Sequence, residues 1–264
     1  MQKSTDKIKV LDLFSGIGMF SYGLEKTGLY ETTAFCEWDR KCQEVLKKNF
    51  PDVQVFHDVS DLYGFGSNVI SKYYESGAKE GLYDLYISRY VDVIVGGFPC
   101  QDISTSGSKD GITGTRSSYW KEFKRLISEI KPRGVIIENV SALRHRGLGV
   151  VLSDLNQIGY DAEWHCITAS RFGAIHERDR CFILAYPNSI RRKEPWRPLK
   201  PINTEEIRNR EAGIVRHALQ RSGLPYLCGD HARGSRGVDR LKQLGNTVYW
   251  PIIEHLGYHL AENL

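Results

Sequence analysis

The sequence predicts an α/β fold built on a parallel-rich sheet, and three observations carry that prediction. From residue 7 to about residue 186, short apolar, β-branched runs alternate with longer helix-like stretches, the pattern of strands joined by crossover helices. A Gly16-Ile17-Gly18 turn closes the first run and opens a helix, as at the ligand-binding edge of such sheets. The 264 residues, 41% hydrophobic and 26% charged, suffice for one sizeable core with a smaller appended lobe.

Taken in order, strands are predicted at residues 9–14, 32–37, 54–57, 91–96, 134–138, 163–169 and 181–185. Helices are predicted at 19–27, 40–49, 66–76, 119–130 and 147–158 from their apolar spacing. Residues 102–118 are dominated by Gly, Ser and Thr without an apolar period and read as a loop. After Pro187 the pattern breaks into proline-punctuated, arginine-rich sequence (191–201), one amphipathic helix (205–221) and a glycine-rich stretch. Residues 247–260 return to helical spacing through Val248, Ile252, Ile253, Leu256 and Leu260. The expected organisation is a main domain from residues 1–186 and 241–264, with a short second lobe at 187–240.

Charge and cysteine usage narrow the function classes. The net charge is +4, but residues 186–242 alone hold 13 Lys and Arg against 6 Asp and Glu. A basic late segment fits an anionic polymer, or a merely solvated surface. Six cysteines without a Cys-x-x-Cys pair argue against a disulfide framework and structural zinc. The eight histidines are dispersed, so no metal is expected. No uncharged apolar run approaches the roughly 20 residues that span a bilayer, and the first residues are polar, so a cytoplasmic protein without membrane contact is expected.

Several residues then stand where chemistry is done. Glu37 and Trp38 end the second predicted strand, an acid able to bridge ribose hydroxyls and an indole able to stack on a purine. Asp58 ends the third and could accept from an adenine amino group. Each alone is equally well a helix cap or a surface acid. Nothing like a phosphate-binding lysine follows the glycine turn, which favours a nucleoside over a pyrophosphate. Gly96-Gly97-Phe98-Pro99-Cys100-Gln101 closes a fully apolar strand and places a cysteine at a central strand's carboxyl end. Most cysteines are small buried hydrophobes, but a thiolate here suits conjugate addition. Glu138-Asn139-Val140 brings an acid to the same edge, and Arg178-Asp179-Arg180 precedes a buried strand, so that its arginines could face that acid or a phosphate.

In this order the segments resemble the cytosine-5 DNA methyltransferase family across almost the whole chain. The resemblance runs through Asp12 to Gly18, Glu37-Trp38, Asp58, Gly97-Phe98-Pro99-Cys100-Gln101, Glu138-Asn139-Val140, Arg178-Asp179-Arg180 and Gln243-Leu244-Gly245-Asn246-Thr247-Val248. It implies a Rossmann-like methyltransferase sheet with helices on both faces and a small target-recognition lobe. It further implies methylation of carbon 5 of a flipped-out cytosine in double-stranded DNA from S-adenosylmethionine, with Cys100 as nucleophile, Glu138 as acid, and Arg178 and Arg180 orienting base and acid. The cofactor pocket it implies is Phe14, Gly16, Ile17, Gly18, Glu37, Trp38, Asp58, Val59, Pro99, Asn246 and Val248. A monomer is expected, with a cognate restriction endonuclease, where one exists, acting independently.

Two features depart from the family pattern: His176 stands where glutamine is usual, and the region from Pro187 to about Arg240 is brief for target recognition. A branch of the family that methylates transfer RNA usually carries Cys-Phe-Thr in that region, and the tripeptide is absent here. A non-catalytic DNA-binding relative would not need every one of the quoted side chains. A dinucleotide oxidoreductase would explain the glycine turn but neither Pro-Cys-Gln nor the basic segment.

Overall fold

A computed structural model of the chain describes residues 7–73, 85–99, 118–174, 177–190 and 248–264. Its main sheet has seven strands: β1 (Ile8–Leu13), β2 (Tyr30–Cys36), β3 (Gln54–Phe56), β7 (Val93–Gly96), β8 (Gly134–Val140), β9 (Tyr160–Thr168) and β10 (Asp179–Pro187). They lie in the order β3-β2-β1-β7-β8-β10-β9, and β10 alone runs against the others. Among the described residues the α-helices are α1 (Met19–Lys26), α2 (Arg40–Asn49), α3 (Ser118–Ile130), α4 (Leu143–Arg146), α5 (Leu148–Gln157) and α6 (Trp250–Asn263).

The central strands are apolar on both faces because both are covered. Leu11, Ile94, Ile137 and Ile183 pack on one face with Phe123 and Ile127 of α3 and Val151 and Leu155 of α5. Their neighbours Val10, Val93, Ile136 and Phe182 pack on the other with Leu24 of α1 and Ile253 and Leu256 of α6. The period of two along each strand thus divides one sheet between two cores. The Rossmann-like α/β class expected from the sequence is the fold observed.

One predicted element is different. Residues 66–76 were expected to be helical, yet β5 (Asn68–Tyr73) is the centre of a separate antiparallel sheet between β4 (Leu62–Phe65) and β6 (Leu85–Tyr90). Gly66 and Ser67 make the two-residue turn, and Gly66 supplies the left-handed φ of 58° that it needs. This sheet is fastened to α3. Arg125 donates to the Leu62 and Val59 carbonyls, and the Gly64 N–H donates to Glu129. Gly64 lies so near α3 that a Cβ there would sit 2.4 Å from the Cβ of Glu129. The predicted second lobe at 187–240, with its helix at 205–221, and the loop at 102–118 fall almost wholly outside the described residues.

Candidate active site

The parallel strands β1, β2, β3, β7 and β8 end along one edge, and several of the residues singled out from the sequence stand there, among them Gly16, Gly18, Glu37 and Glu138. After β1 the chain turns through Phe14, Gly16 and Gly18, all with positive φ (53°, 55° and 87°). Phe14 is not a glycine, so its conformation is strained; its ring is set against Tyr119 and Phe123 of α3. The turn is fixed from below. The Ser15 hydroxyl donates to the Asp12 carbonyl, and the Ser21 N–H and hydroxyl both donate to Asp12 Oδ2. Asp12 is fully buried, and that burial lifts its carboxyl to about 8. Oδ1 of Asp12 has no hydrogen-bond partner among the described residues.

The end of β2 meets this turn. The Gly16 N–H donates to Glu37 Oε2 (2.7 Å), and the Asp39 N–H donates to Oε1 (2.7 Å). Each oxygen retains a lone pair able to accept a hydroxyl. Burial raises the Glu37 carboxyl above the usual range, although these two N–H groups oppose the shift. Trp38 is 66% exposed and stacks by one face on His57, with ring centroids 4.4 Å apart. Asp58 Oδ1 caps a short 3-10 turn at the Ser60 N–H, while Val59 behind it is buried. A Cβ on Gly16 would meet no atom within 4 Å, so its backbone faces open space. An open glycine backbone, a half-buried acid and an exposed indole together fit a nucleoside-bearing ligand.

A second cluster lies further along the edge. Gly96 ends β7 so close to β1 that a Cβ would stand 2.2 Å from the Leu13 carbonyl oxygen. At Gly97 a Cβ would lie 2.9 Å from Glu138 Oε2, so only a glycine lets the acid come this near the chain. Glu138 is itself buried, with Arg180 Nε 2.9 Å from its Oε1. Desolvation raises the Glu138 carboxyl, and the charges of Arg180 and then Arg178 pull it down without overcoming that rise. Asn139 fixes the same turn by donating to the Phe98 carbonyl (3.0 Å). Pro99, which is exposed, is the last described residue before Cys100.

The structure thus brings Glu138, Arg180 and Gly97 together, and Gly16 with Glu37. Val248 is buried with Phe20 on the α1 and α6 side of the sheet. Cys100, Asn246 and His176 lie outside the described residues. Sequence reasoning gave no role to Asp12, Ser15, Ser21 or Asn139, which shape the site without standing in it. Asn139 had a signal in its place beside Glu138; Ser21, nine residues from Asp12, had none. Among the described residues no three His, Cys, Asp or Glu side chains are grouped to hold a metal, and no helix is long and apolar enough to cross a membrane.

Comparison with known proteins bears on this edge. A family model described as C-5 cytosine-specific DNA methylase matches residues 8–222. The type II methyltransferase M2.BsuMI of Bacillus subtilis (strain 168) is 32% identical over 186 residues, spanning 67% of this chain and 42% of the relative. The type II methyltransferase M.CviJI of Paramecium bursaria Chlorella virus IL3A is 34% identical over 178 residues, with 67% and 42% covered. Among solved structures, a putative DNA modification methyltransferase encoded within an E. coli prophage superposes with a TM-score of 0.54 at 24% identity, over 74% of this chain and 53% of that one. A Spodoptera frugiperda DNMT2 mutant superposes with a TM-score of 0.53 at 17% identity, covering 75% and 56%. These superpositions speak for the fold. The chain spans about half the length of the relatives it matches.

Proposed function

Because the chain belongs to the C-5 cytosine-specific DNA methylase family, we propose that it methylates carbon 5 of a cytosine in duplex DNA, with Cys100 as nucleophile and Glu138 as acid. The observation that carries this reading is the buried carboxyl of Glu138, raised by desolvation and held by Arg180 beside the Gly97 backbone, three residues before Cys100.

Carbon 5 of cytosine is a weak nucleophile. The Cys100 thiolate forms a bond to C6 while Glu138 gives its proton to N3, and the electron pair released makes C5 an enamine carbon. A carboxyl with an ordinary pKa would be ionised near neutral pH and could not give that proton. Burial keeps it protonated longer, and Arg180 and Arg178 hold it in place and stabilise the carboxylate it becomes. After methylation, loss of the C5 proton, rupture of the C6–S bond and return of the N3 proton to Glu138 restore the ring and free both Cys100 and the acid.

Phe14, Gly16, Ile17, Gly18, Glu37, Trp38, Asp58, Val59, Pro99, Asn246 and Val248 would hold S-adenosylmethionine. When bound, that cofactor supplies an electrophilic methyl group carried on sulfonium sulfur. Glu37 would accept from the ribose hydroxyls, Trp38 would stack its exposed face on the adenine, and Asp58 would accept from the adenine amino group. A base stacked within a duplex cannot enter this edge, so the target cytosine is swung out. Residues 187–240 would recognise the DNA site, and residues 102–118 would close over the extruded base. The protein would act as a cytoplasmic monomer, on its own or beside an independently acting restriction endonuclease, as the type II relatives' names suggest.

The test uses the purified chain with methyl-labelled S-adenosylmethionine and, separately, duplex DNA and transfer RNA. Label on DNA cytosine carbon 5 is expected. Label on transfer RNA alone, or none on either from a folded protein that binds the cofactor, would overturn the proposal.

A further inference from the structure

Cys166 and Cys181 take no part in the chemistry above, yet strand register sets them face to face. They are directly opposed on the antiparallel strands β9 and β10. The Ala169 N–H donates to the Arg178 carbonyl (2.9 Å), which marks that pair as a hydrogen-bonded one, and the register runs unshifted from Asp179 opposite Thr168 inward. Hydrogen-bonded and non-hydrogen-bonded pairs alternate along such a ladder, so the cysteines, three steps on, form a non-hydrogen-bonded pair. There opposed side chains are closest, with Cβ atoms about 4.5 Å apart, near the roughly 3.5–4.5 Å of a disulfide. Both side chains face the core shared with α3 and α5, and each thiol perturbs the titration of the other.

The two are unequal in a useful way. Cys181 is fully buried, and that burial pushes its thiol up to about 12. Cys166 is only half-buried; burial raises its thiol too, then Asp179, while Arg144 acts in the opposite direction. We propose that Cys166 and Cys181 are a reversible disulfide site closed by low-molecular-mass disulfides, with Cys166 attacking and Cys181 resolving.

In the first step the Cys166 thiolate attacks one sulfur of the small disulfide, forming a mixed disulfide and expelling one small thiolate. In the second, Cys181 gives up its proton, attacks the Cys166 sulfur and expels the other. Two protein thiols are oxidised, and one small disulfide is reduced to two thiols. The high thiol pKa values make closure slow at neutral pH and faster in alkali. With the Cβ atoms at the long end of the disulfide range, such a cross-strand bond is strained and easily reopened. Cys181 follows Arg180 directly and lies opposite Asn139 of β8, so the bond pulls on β10, whose Arg180 is paired with Glu138.

The experiment incubates the whole chain with oxidised glutathione at neutral and alkaline pH, then maps disulfides by mass spectrometry without reduction. A Cys166–Cys181 peptide, two hydrogens lighter, is expected, forming faster in alkali and reopening in dithiothreitol under native conditions. Both cysteines remaining as thiols, or each carrying glutathione without a link, would overturn the proposal. A second arm rests on the methylation reading: oxidised wild type should lose several-fold more turnover than a Cys166→Ser variant treated alike, which separates this effect from any modification of Cys100. Equal losses would remove the effect on Arg180 while leaving the peptide result to decide the site.

Discussion

At Glu138, desolvation outweighs two arginines, and that balance is what the proposed chemistry requires. Glu138→Gln keeps the shape but cannot donate a carboxylic proton, so turnover should fall by about 10²- to 10⁴-fold with cofactor affinity nearly unchanged, as single-turnover kinetics and calorimetry would read. Asp12 offers a separate residue-scale test. Its folded pKa of about 8 lies above the ordinary value of 3.8, so its contribution to stability is complete below 3.8 and is lost as pH rises through 8. The thermal midpoint should therefore decline across that window in the wild type, and Asp12→Asn should flatten the decline. Cys100 and Glu138 were legible as candidates because Pro-Cys-Gln and Glu-Asn-Val name their positions. The burial that changes the chemistry of Asp12 was not, because it depends on strands β2 and β7 closing around β1, and no local pattern reports that.

At the scale of elements, α6 combines apolar docking with two histidines. Burial, and then the nearness of His259, depress His255 to about 4, while His259 lies 3.5 Å from Glu163 on β9. A depressed pKa contributes stability above the unfolded value near 6.5 that is lost as pH falls through 4, the opposite sense to Asp12. Hydrogen exchange should show α6 loosening across that acid window, and His255→Gln should reduce the dependence. The apolar spacing of α6 was legible from Val248 to Leu260. The hairpin of β4 and β5 was misread because Val69, Ile70 and Tyr73 also fit a helical spacing. The Gly66-Ser67 turn, between the aromatic-bearing Leu62–Phe65 run and the β-branched Val69-Ile70 pair, was the signal that favoured strands. Tertiary context settled the matter, with Arg125 and Glu129 of α3 fastening Leu62 and Gly64.

For the whole molecule, strand order determines where chemistry can gather. Placing β1, β7 and β8 side by side brings the glycine turn, the Gly97 turn and Glu138 to one edge from positions more than a hundred residues apart. Alternating apolar runs revealed the sheet but not its order or the reversal of β10, which follow from how the crossovers pack. The 13 basic residues of the 186–242 segment lead to an electrostatic expectation. Affinity for duplex DNA should fall steeply as salt rises, because neutralised phosphates release counterions. A flat salt response would remove that segment from the DNA interface.

The proposed methylation of cytosine in DNA at this edge depends on Cys100. Its most direct test is bisulfite sequencing of DNA from a host lacking cytosine methylation, after expression of the chain and, in parallel, of Cys100→Ser. Cytosines protected in one short recurring context, and unprotected in the variant, are the expected result. Equal protection by the two proteins, or none from a soluble wild-type chain that binds S-adenosylmethionine, would contradict it.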